Sequence, residues 1–509
     1  MKDWINDHVY TKNIVNSSIE AADLESATCL TFASFVNDAG TIRQLVEAGC
    51  DVTARDSTGQ VPLHWAYESD VDADSKVVFL LQRDASLVNA LDYSNRAPLY
   101  FASRAGNSGV VKTLLDLGAD VDAHGRYGRT ALHVACEAGK LPSIHQLMAG
   151  GAQIEARDSE RKATPLHLAA ASNHPNIVKT LVDVYKASIN ATGTNGNSAL
   201  HGAAFKGFVK VVKVLLSFDH CDVNAKGWRD RTALHYACDG GQVACIHELM
   251  ASGADIEAKE SETAASPLQM AAQFNHPNCV KTLVGVYKAS INATDKNGDS
   301  ALHLAAGLGN ENVVKTLISF DHCDVNPRGR LGRTALHYAC QHGHVGCIQE
   351  LMAGGAQIEA RDSDSKTPLH LAACYNHPDS VKTLVDDYKA SINATDKDGH
   401  NALHVAVAQG NVEVVKILLS FDHCDVNAKG QLGRTALHDA SGRGHVACIH
   451  ELMAGGAQIE ARECQREGTP LHLAAYFNHP DSVKTLVDVY KASTNATDND
   501  GNSITLGCA

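Results

Sequence analysis

The chain has 509 residues, 44% hydrophobic but only 5% aromatic, and its 58 acidic against 44 basic side chains leave a formal charge of -14. That length exceeds what one compact core fills, and the negative balance sets a nucleic-acid backbone against net repulsion. Met1 to Asp7 hold no apolar core suited to a secretory signal and no run approaches a membrane span. The fifteen cysteines are therefore expected to be reduced thiols of a cytoplasmic or nuclear protein.

Residues 1–27 carry no motif; Ile14, Ile19, Ala22 and Leu24 give one side of a short helix that would cap the residues after it. From Thr28 a seven-residue pattern recurs, fullest at Thr164, Pro165, Leu166, His167, Leu168, Ala169 and Ala170. A hydroxyl to cap free N–H groups, a proline at the first helical position, then leucine and small alanines spell the start of a short buried helix. The pattern returns at Thr28, Val61, Ala97, Thr130, Thr164, Ser198, Thr232, Ser266, Ser300, Thr334, Thr367, Asn401, Thr435, Thr469 and, damaged, at Ser503. From Thr130 to Thr469 the step is 34 residues except one of 33, between Thr334 and Thr367. A fixed period of this size marks a stacked repeat array, in which each unit buries its apolar face only against its neighbours.

The second repeat is degenerate and holds an acidic insertion between Ser69 and Ser75. Asp70, Asp72 and Asp74 there mimic the opening of a calcium loop, but Ser75 and Leu81 stand where glycine and a bidentate glutamate are required. From Thr130 onward every third repeat is nearly the same sequence, giving three types, A, B and C. In the type B repeat at Thr367 the punctuation predicts a first helix over Pro368–Cys374 ending at Asn376, and a second starting at Pro378 with Val381, Leu384 and Val385 on one face. An extended finger comes next, through Ser391 to Gly399. Neither helix is long enough to stand alone in water. Asn190, Asn292, Asn393 and Asn495 match a glycosylation acceptor, but a turn position accounts for them without export.

Motif, period and element order together resemble the ankyrin repeat over about residues 28–502. The resemblance implies an α solenoid of stacked ankyrin repeats, each a helix-turn-helix plus a hairpin finger, about 14 in number. Residues 503–509 would be a truncated last repeat. It further implies a non-enzymatic protein that binds partner proteins along a concave surface of fingertips and first helices; a monomer is expected. In that family the motif threonine and histidine hydrogen-bond with each other and with nearby backbone, as Thr334 would with His337. Thr31, Tyr100 and Gln269 replace the histidine, and those repeats are expected to be looser. Several fingers also lack the tip glycine, as in Asp158 to Ala163.

The 27 histidines invite a metal reading, yet eleven occupy the motif slot, four precede a proline and three precede a cysteine. No Cys-x-x-Cys pair completes a zinc set, and His247-Glu248 and His450-Glu451 lack the second histidine of a zinc-protease helix, Ala251 and Ala454 standing there. Cys238 with Cys245, and Cys340 with Cys347, read as small buried hydrophobes. Without phosphate loop, nucleophile elbow or kinase signature, no enzyme, cofactor or metal is expected.

Positions fixed by packing should repeat between like copies, whereas positions facing a partner are free to differ. Two columns differ most. One is the end of the first helix in type B, with Phe274, Tyr375 and Phe477; the other is the finger entering type A, with Arg126 and Tyr127, Trp228 and Arg229, Arg330 and Leu331, Gln431 and Leu432. Each finger pair is followed two residues later by an arginine, at 129, 231, 333 or 434. Aromatic and arginine side chains dominate binding hot spots, and like columns recur about 30 Å apart at ~10 Å per helix layer. These residues form the candidate surface for an extended or multi-lobed protein partner. The competing functions are a substrate-recruiting adaptor of a complex such as a ubiquitin ligase, for which the 27 leading residues look too short a docking domain, and an effector delivered into a host cell.

Overall fold

The computed structural model describes residues 29–36, 38–67 and 72–499. The capping helix expected before Thr28, the Asp70 side of the acidic insertion and the damaged repeat at 503–509 lie outside them. Short helices come in pairs, such as Pro368–Cys374 with Pro378–Lys382 and Ala402–Gln409 with Val412–Leu419. No strand forms among the described residues; the fingers are hairpin turns, with isolated bridges at Thr192–Ser198 and Thr294–Ser300.

The helix boundaries are set by the residues at them. Pro165, Pro267, Pro368 and Pro470 open first helices, and Pro175, Pro277, Pro378 and Pro480 open second helices, where a missing N–H costs little. Type B first helices stop at Asn173, Asn275, Asn376 and Asn478, all left-handed with φ between 59° and 61°. Leu369, Ala372 and Ala373 are buried in the first helix, and Val381, Leu384 and Val385 in the second, on the single face the spacing predicts.

One departure lies in the second helices of type B. After Lys281, Lys382 and Lys484 the last turn widens to π geometry, over Thr282–Val286, Thr383–Asp387 and Thr485–Val489. Tyr287 and Tyr490 N–H donate five residues back, each at 3.3 Å. The chain then turns at a left-handed lysine whose ammonium folds back onto a carbonyl of that turn: Lys288 Nζ lies 2.7 Å from Gly285 O and Lys389 Nζ 2.6 Å from Asp386 O. A cation on the last carbonyls stabilises a helix C-terminus.

The described residues fall into two units, one running to Tyr236 with His247–Ala254, the other comprising Ala237–Ile246 and the residues from Asp255. In the first, Pro98–Ala105, Ala131–Glu137, Pro165–Ala171 and Ala199–Lys206 pack each on the next. In the second, first helices form one continuous layer from Pro267–Gln273 through Ala301–Leu308, Ala335–His342, Pro368–Cys374, Ala402–Gln409 and Ala436–Arg443 to Pro470–Tyr476. Fully buried alanines such as Ala305, Ala339, Ala372 and Ala406 let these helices approach closely. Each layer therefore supplies its neighbour's hydrophobic cover, as an α solenoid requires. No helix among the described residues is long and apolar enough to cross a membrane.

Candidate partner-binding surface

The surface rests on a polar frame that fixes each finger against the next. Thr334 N–H donates to His337 Nδ1 at 3.1 Å, and Thr334 Oγ1 lies 2.9 Å from the same nitrogen. With Nδ1 accepting, Nε2 carries the proton and donates to Lys366 O in the following finger, at 3.0 Å. His133, His370 and His438 repeat the arrangement onto Ala163, His400 and Gly468. Burial holds His337, His404 and His438 down at about 4 and lowers His133 and His370 as well. A proton on Nδ1 would also turn an acceptor into a second donor facing an N–H. The predicted threonine–histidine pair is thus present, and it reaches further than predicted, into the next repeat.

The expected looseness at Gln269 is corrected. Its Oε1 accepts Ser266 N–H at 2.9 Å and its Nε2 donates to Asp299 O at 2.7 Å. The amide offers one acceptor and one donor in the places of Nδ1 and Nε2–H, so glutamine completes the histidine's connections.

Asparagine has a larger part than a turn residue. Asn393 Nδ2 donates to His423 O at 2.7 Å while its Oδ1 accepts Asp425 N–H at 3.1 Å, and Asn292 holds His322 and Asp324 likewise. A carboxylate does the accepting half from type A to type B, as Glu359 with Ser391 N–H at 2.7 Å. The signal in the sequence was the same residue at the same repeat position. Its partners lie some 30 residues on, where local spacing says nothing.

The type A fingertips carry eight of the eleven candidate residues. In each, two successive residues are left-handed: Tyr127 and Gly128, Arg229 and Asp230, Leu331 and Gly332, Leu432 and Gly433, with φ between 56° and 71°. The N–H after the pair returns to the residue before it, as Arg333 N to Arg330 O at 3.3 Å. This is the tight hairpin turn that ordinarily takes asparagine and glycine. Tyrosine, arginine and leucine instead occupy its first central position at a cost of ~1–2 kcal/mol each. Part of the compensation is visible: Tyr127, Leu331 and Leu432 carbonyls accept Ser159, Ser363 and Cys464 N–H of the next finger, at 2.8, 2.8 and 2.7 Å.

All eleven candidates are exposed, and the seven large apolar ones, Tyr127, Trp228, Phe274, Leu331, Tyr375, Leu432 and Phe477, are between 40% and 57% exposed. Adjacent pairs are brought together: the Arg126 guanidinium lies 4.7 Å over the Tyr127 ring and Arg229 4.1 Å over Trp228. Phe274, Tyr375 and Phe477 cap the ends of first helices. Fingertip and helix end share a surface within one repeat, since Arg466 lies 6.0 Å over Tyr476, itself edge-on to Phe477 at 5.0 Å. Phe205, Leu308 and Tyr476 are likewise exposed at or near the ends of first helices; Tyr476 stands beside Phe477 in the type B column, whereas Phe205 and Leu308 lie in type C repeats, which that column leaves out.

The arginines two residues beyond the fingertip pairs serve the frame. Arg333 Nε lies 3.3 Å from Asp362 Oδ2 of the next finger and its Nη1 donates to Gln341 at 2.6 Å; Arg129 spans Asp158 at 3.7 Å and Glu137 at 3.0 Å. Their side chains are mostly buried, so they position the fingers.

Asp396, Asp398 and His400 present oxygen and nitrogen atoms within 4.8 Å of one another. Asp396 Oδ1 accepts Asp398 and His400 N–H, both at 2.9 Å. Asp362 holds its own turn in the same way through Asp364 and Lys366, so turn geometry explains the grouping.

A family model described as ankyrin repeats in three copies matches residues 30–125, 117–193, 166–260, 268–362, 355–430 and 422–500. Over 103 residues, 20% of this chain, there is 38% identity to a Caenorhabditis elegans homolog of transient receptor potential cation channel subfamily A member 1, 8% of which is covered. Over 167 residues, 32% of this chain, there is 29% identity to human neurogenic locus notch homolog protein 1, 6% of which is covered. The chain thus spans less than a tenth of the length of these curated relatives. The human ASB11 ankyrin repeat domain matches in structure with a TM-score of 0.38 and 29% identity, over 41% of this chain and 92% of that one. With the fold and motif contacts of the described residues in agreement with a family match over most of the chain, the chain belongs to the ankyrin repeat family.

Proposed function

We propose that the protein is a non-enzymatic scaffold of the cytoplasm or nucleus that captures partner proteins on the surface made by its type A fingertips and the ends of its first helices. Ankyrin repeats are typically interaction modules, and the observation that carries the reading is the set of large apolar side chains left 40–57% exposed at recurring positions. Scattered exposed hydrophobes need no explanation, but recurrent ones held in a strained turn do. Stacked arginine–aromatic pairs are already restrained by each other, so less side-chain freedom is left to lose on binding.

The test replaces Trp228, Arg229, Arg330 and Leu331 with alanine and compares affinity capture from lysate by quantitative mass spectrometry. Partners held by the parent protein should be depleted at least several-fold with helical circular dichroism unchanged. Undiminished capture removes the fingertips from the reading.

A further inference from the structure

The first helices of the second unit, from Pro267–Gln273 to Pro470–Tyr476, end on an exposed row that includes Phe274, Leu308, Tyr375, Arg443, Tyr476 and Phe477. In a chain of charge -14, none of the exposed side chains of these helices is acidic; the one carboxylate in them, Asp439, is half-buried in its first turn. The second helices of the same unit carry the acids, with Glu311, Asp379, Asp386, Glu413, Asp481 and Asp488 exposed. Positive charge stands beside the row: Arg443 ends a first helix, while Arg330 and Arg466 are exposed at fingertips, Arg466 over the Tyr476 ring; the exposed fingertip acids of this unit include Glu262, Asp398 and Glu467, the last held by Arg462 at 3.6 Å.

We infer that this row seats an acidic, extended polypeptide segment, its aliphatic or aromatic side chains against Phe274, Tyr375 and Phe477 and its carboxylates against Arg330, Arg443 and Arg466. The inference rests on the reading of the array as a protein-binding surface and adds the partner's chemistry. The charge separation argues for it: a segment bearing carboxylates finds no like charge among the exposed helix ends, whereas a basic one would be drawn to the second helices. Aromatic rings beside arginines also suit single-stranded nucleic acid, but a polyphosphate offers no aliphatic anchors for the row, and with a charge on every residue it meets more of the chain's net repulsion than a segment that mixes acidic and apolar residues. Phe274, Tyr375 and Phe477 recur every three repeats, about 30 Å apart at ~10 Å per layer. An extended chain advances ~3.3 Å per residue, so the partner's anchors fall about nine residues apart.

The experiment uses the full chain and a fluorescein-labelled 24-residue peptide of Glu, Asp and Gly with Leu-Phe pairs nine residues apart, read by fluorescence anisotropy. Saturable binding is expected, weakened by added salt and at least tenfold by Tyr375→Ser with Phe477→Ser or by Arg443→Glu with Arg466→Glu. Lys382→Glu, on a second helix, should leave it unchanged. Should the serine pair lower the thermal midpoint, the exposed arginine pair alone decides. Absence of binding, equal binding of the same peptide with lysine for its acids, tighter binding of a 24-residue oligothymidylate, or indifference to the arginine variants overturns the inference. If lysate capture still depends on the fingertips while this peptide fails, the scaffold reading stands and the partner's chemistry falls; if both fail, both fall.

Discussion

At the scale of single residues, the motif histidine decides how stability depends on pH. Its folded value is lowered from the ordinary 6.5 to about 4 at His337, His404 and His438. Below 6.5 the unfolded chain therefore takes up protons that the folded chain refuses, so the contribution is whole above 6.5 and drains away as pH falls towards 4. Each such ring is worth up to ~3 kcal/mol over that window. The urea midpoint should be flat from pH 8 to 7 and fall steeply from 6.5 to 4, and His337→Gln should blunt the fall, since Gln269 makes the same contacts without titrating. Gln269→His should be nearly neutral at pH 8, whereas Gln269→Leu, which leaves Ser266 N–H without its acceptor and Asp299 O with only its hairpin bond from Asp295 N–H, should cost ~1–2 kcal/mol by urea denaturation. The left-handed residues give the opposite sign: Lys162 and Ser365 stand at φ 53° and 60° where the family favours glycine. Lys162→Gly or Ser365→Gly should raise the urea midpoint by the equivalent of ~0.5–1 kcal/mol, and Ser365→Val should lower it.

At the scale of the element, much was readable beforehand, and what escaped has a common cause. Proline at the first position and asparagine at the stop gave Pro368–Cys374 correctly because both act through their own backbone. The widened turn over Thr383–Asp387 escaped because Leu384 and Val385 fit the apolar stripe of an ordinary helix equally well. The asparagine bracket escaped because Asn393 acts on His423 and Asp425, in another repeat. For the same reason the sequence is silent on the role of Arg333, whose partner Asp362 lies in the next finger. The two-point hold of Asn393 has a measurable weight: Asn393→Ala should cost ~1–2 kcal/mol for two hydrogen bonds, with amide exchange at Asp425 accelerated and that at Leu384 unchanged.

At the scale of the whole molecule, stability should spread along the chain by nearest neighbours. Ala406 is fully buried between first helices of the second unit, so Ala406→Glu places a charge in that seam. Hydrogen exchange should then lose protection in the helices Pro368–Cys374, Ala402–Gln409 and Ala436–Arg443, while Pro267–Gln273 keeps most of its own. A loss of protection that reached every helix at once would mean that the layers do not behave as separable units. The candidate surface was legible as columns because the internal copies allow packing and free positions to be told apart. Its depletion of acids at helix ends needed the structure, which says which ends reach solvent.

Motif histidines such as His64, His133, His167, His337, His370 and His438 donate forward, from their own repeat to a carbonyl of the next one along. Ala163 O, which receives His133, also accepts Asp158 N–H within its own hairpin at 3.0 Å. Shortening the protein at its two ends is consequently not a symmetrical act. Trimming from the front leaves the next carbonyl with its local bond, whereas trimming from the back strands an imidazole donor in whichever repeat becomes last. Serial deletions should lose more from the rear than from the front for the same number of repeats removed, and the histidine of the new rearmost repeat should recover an ordinary titration.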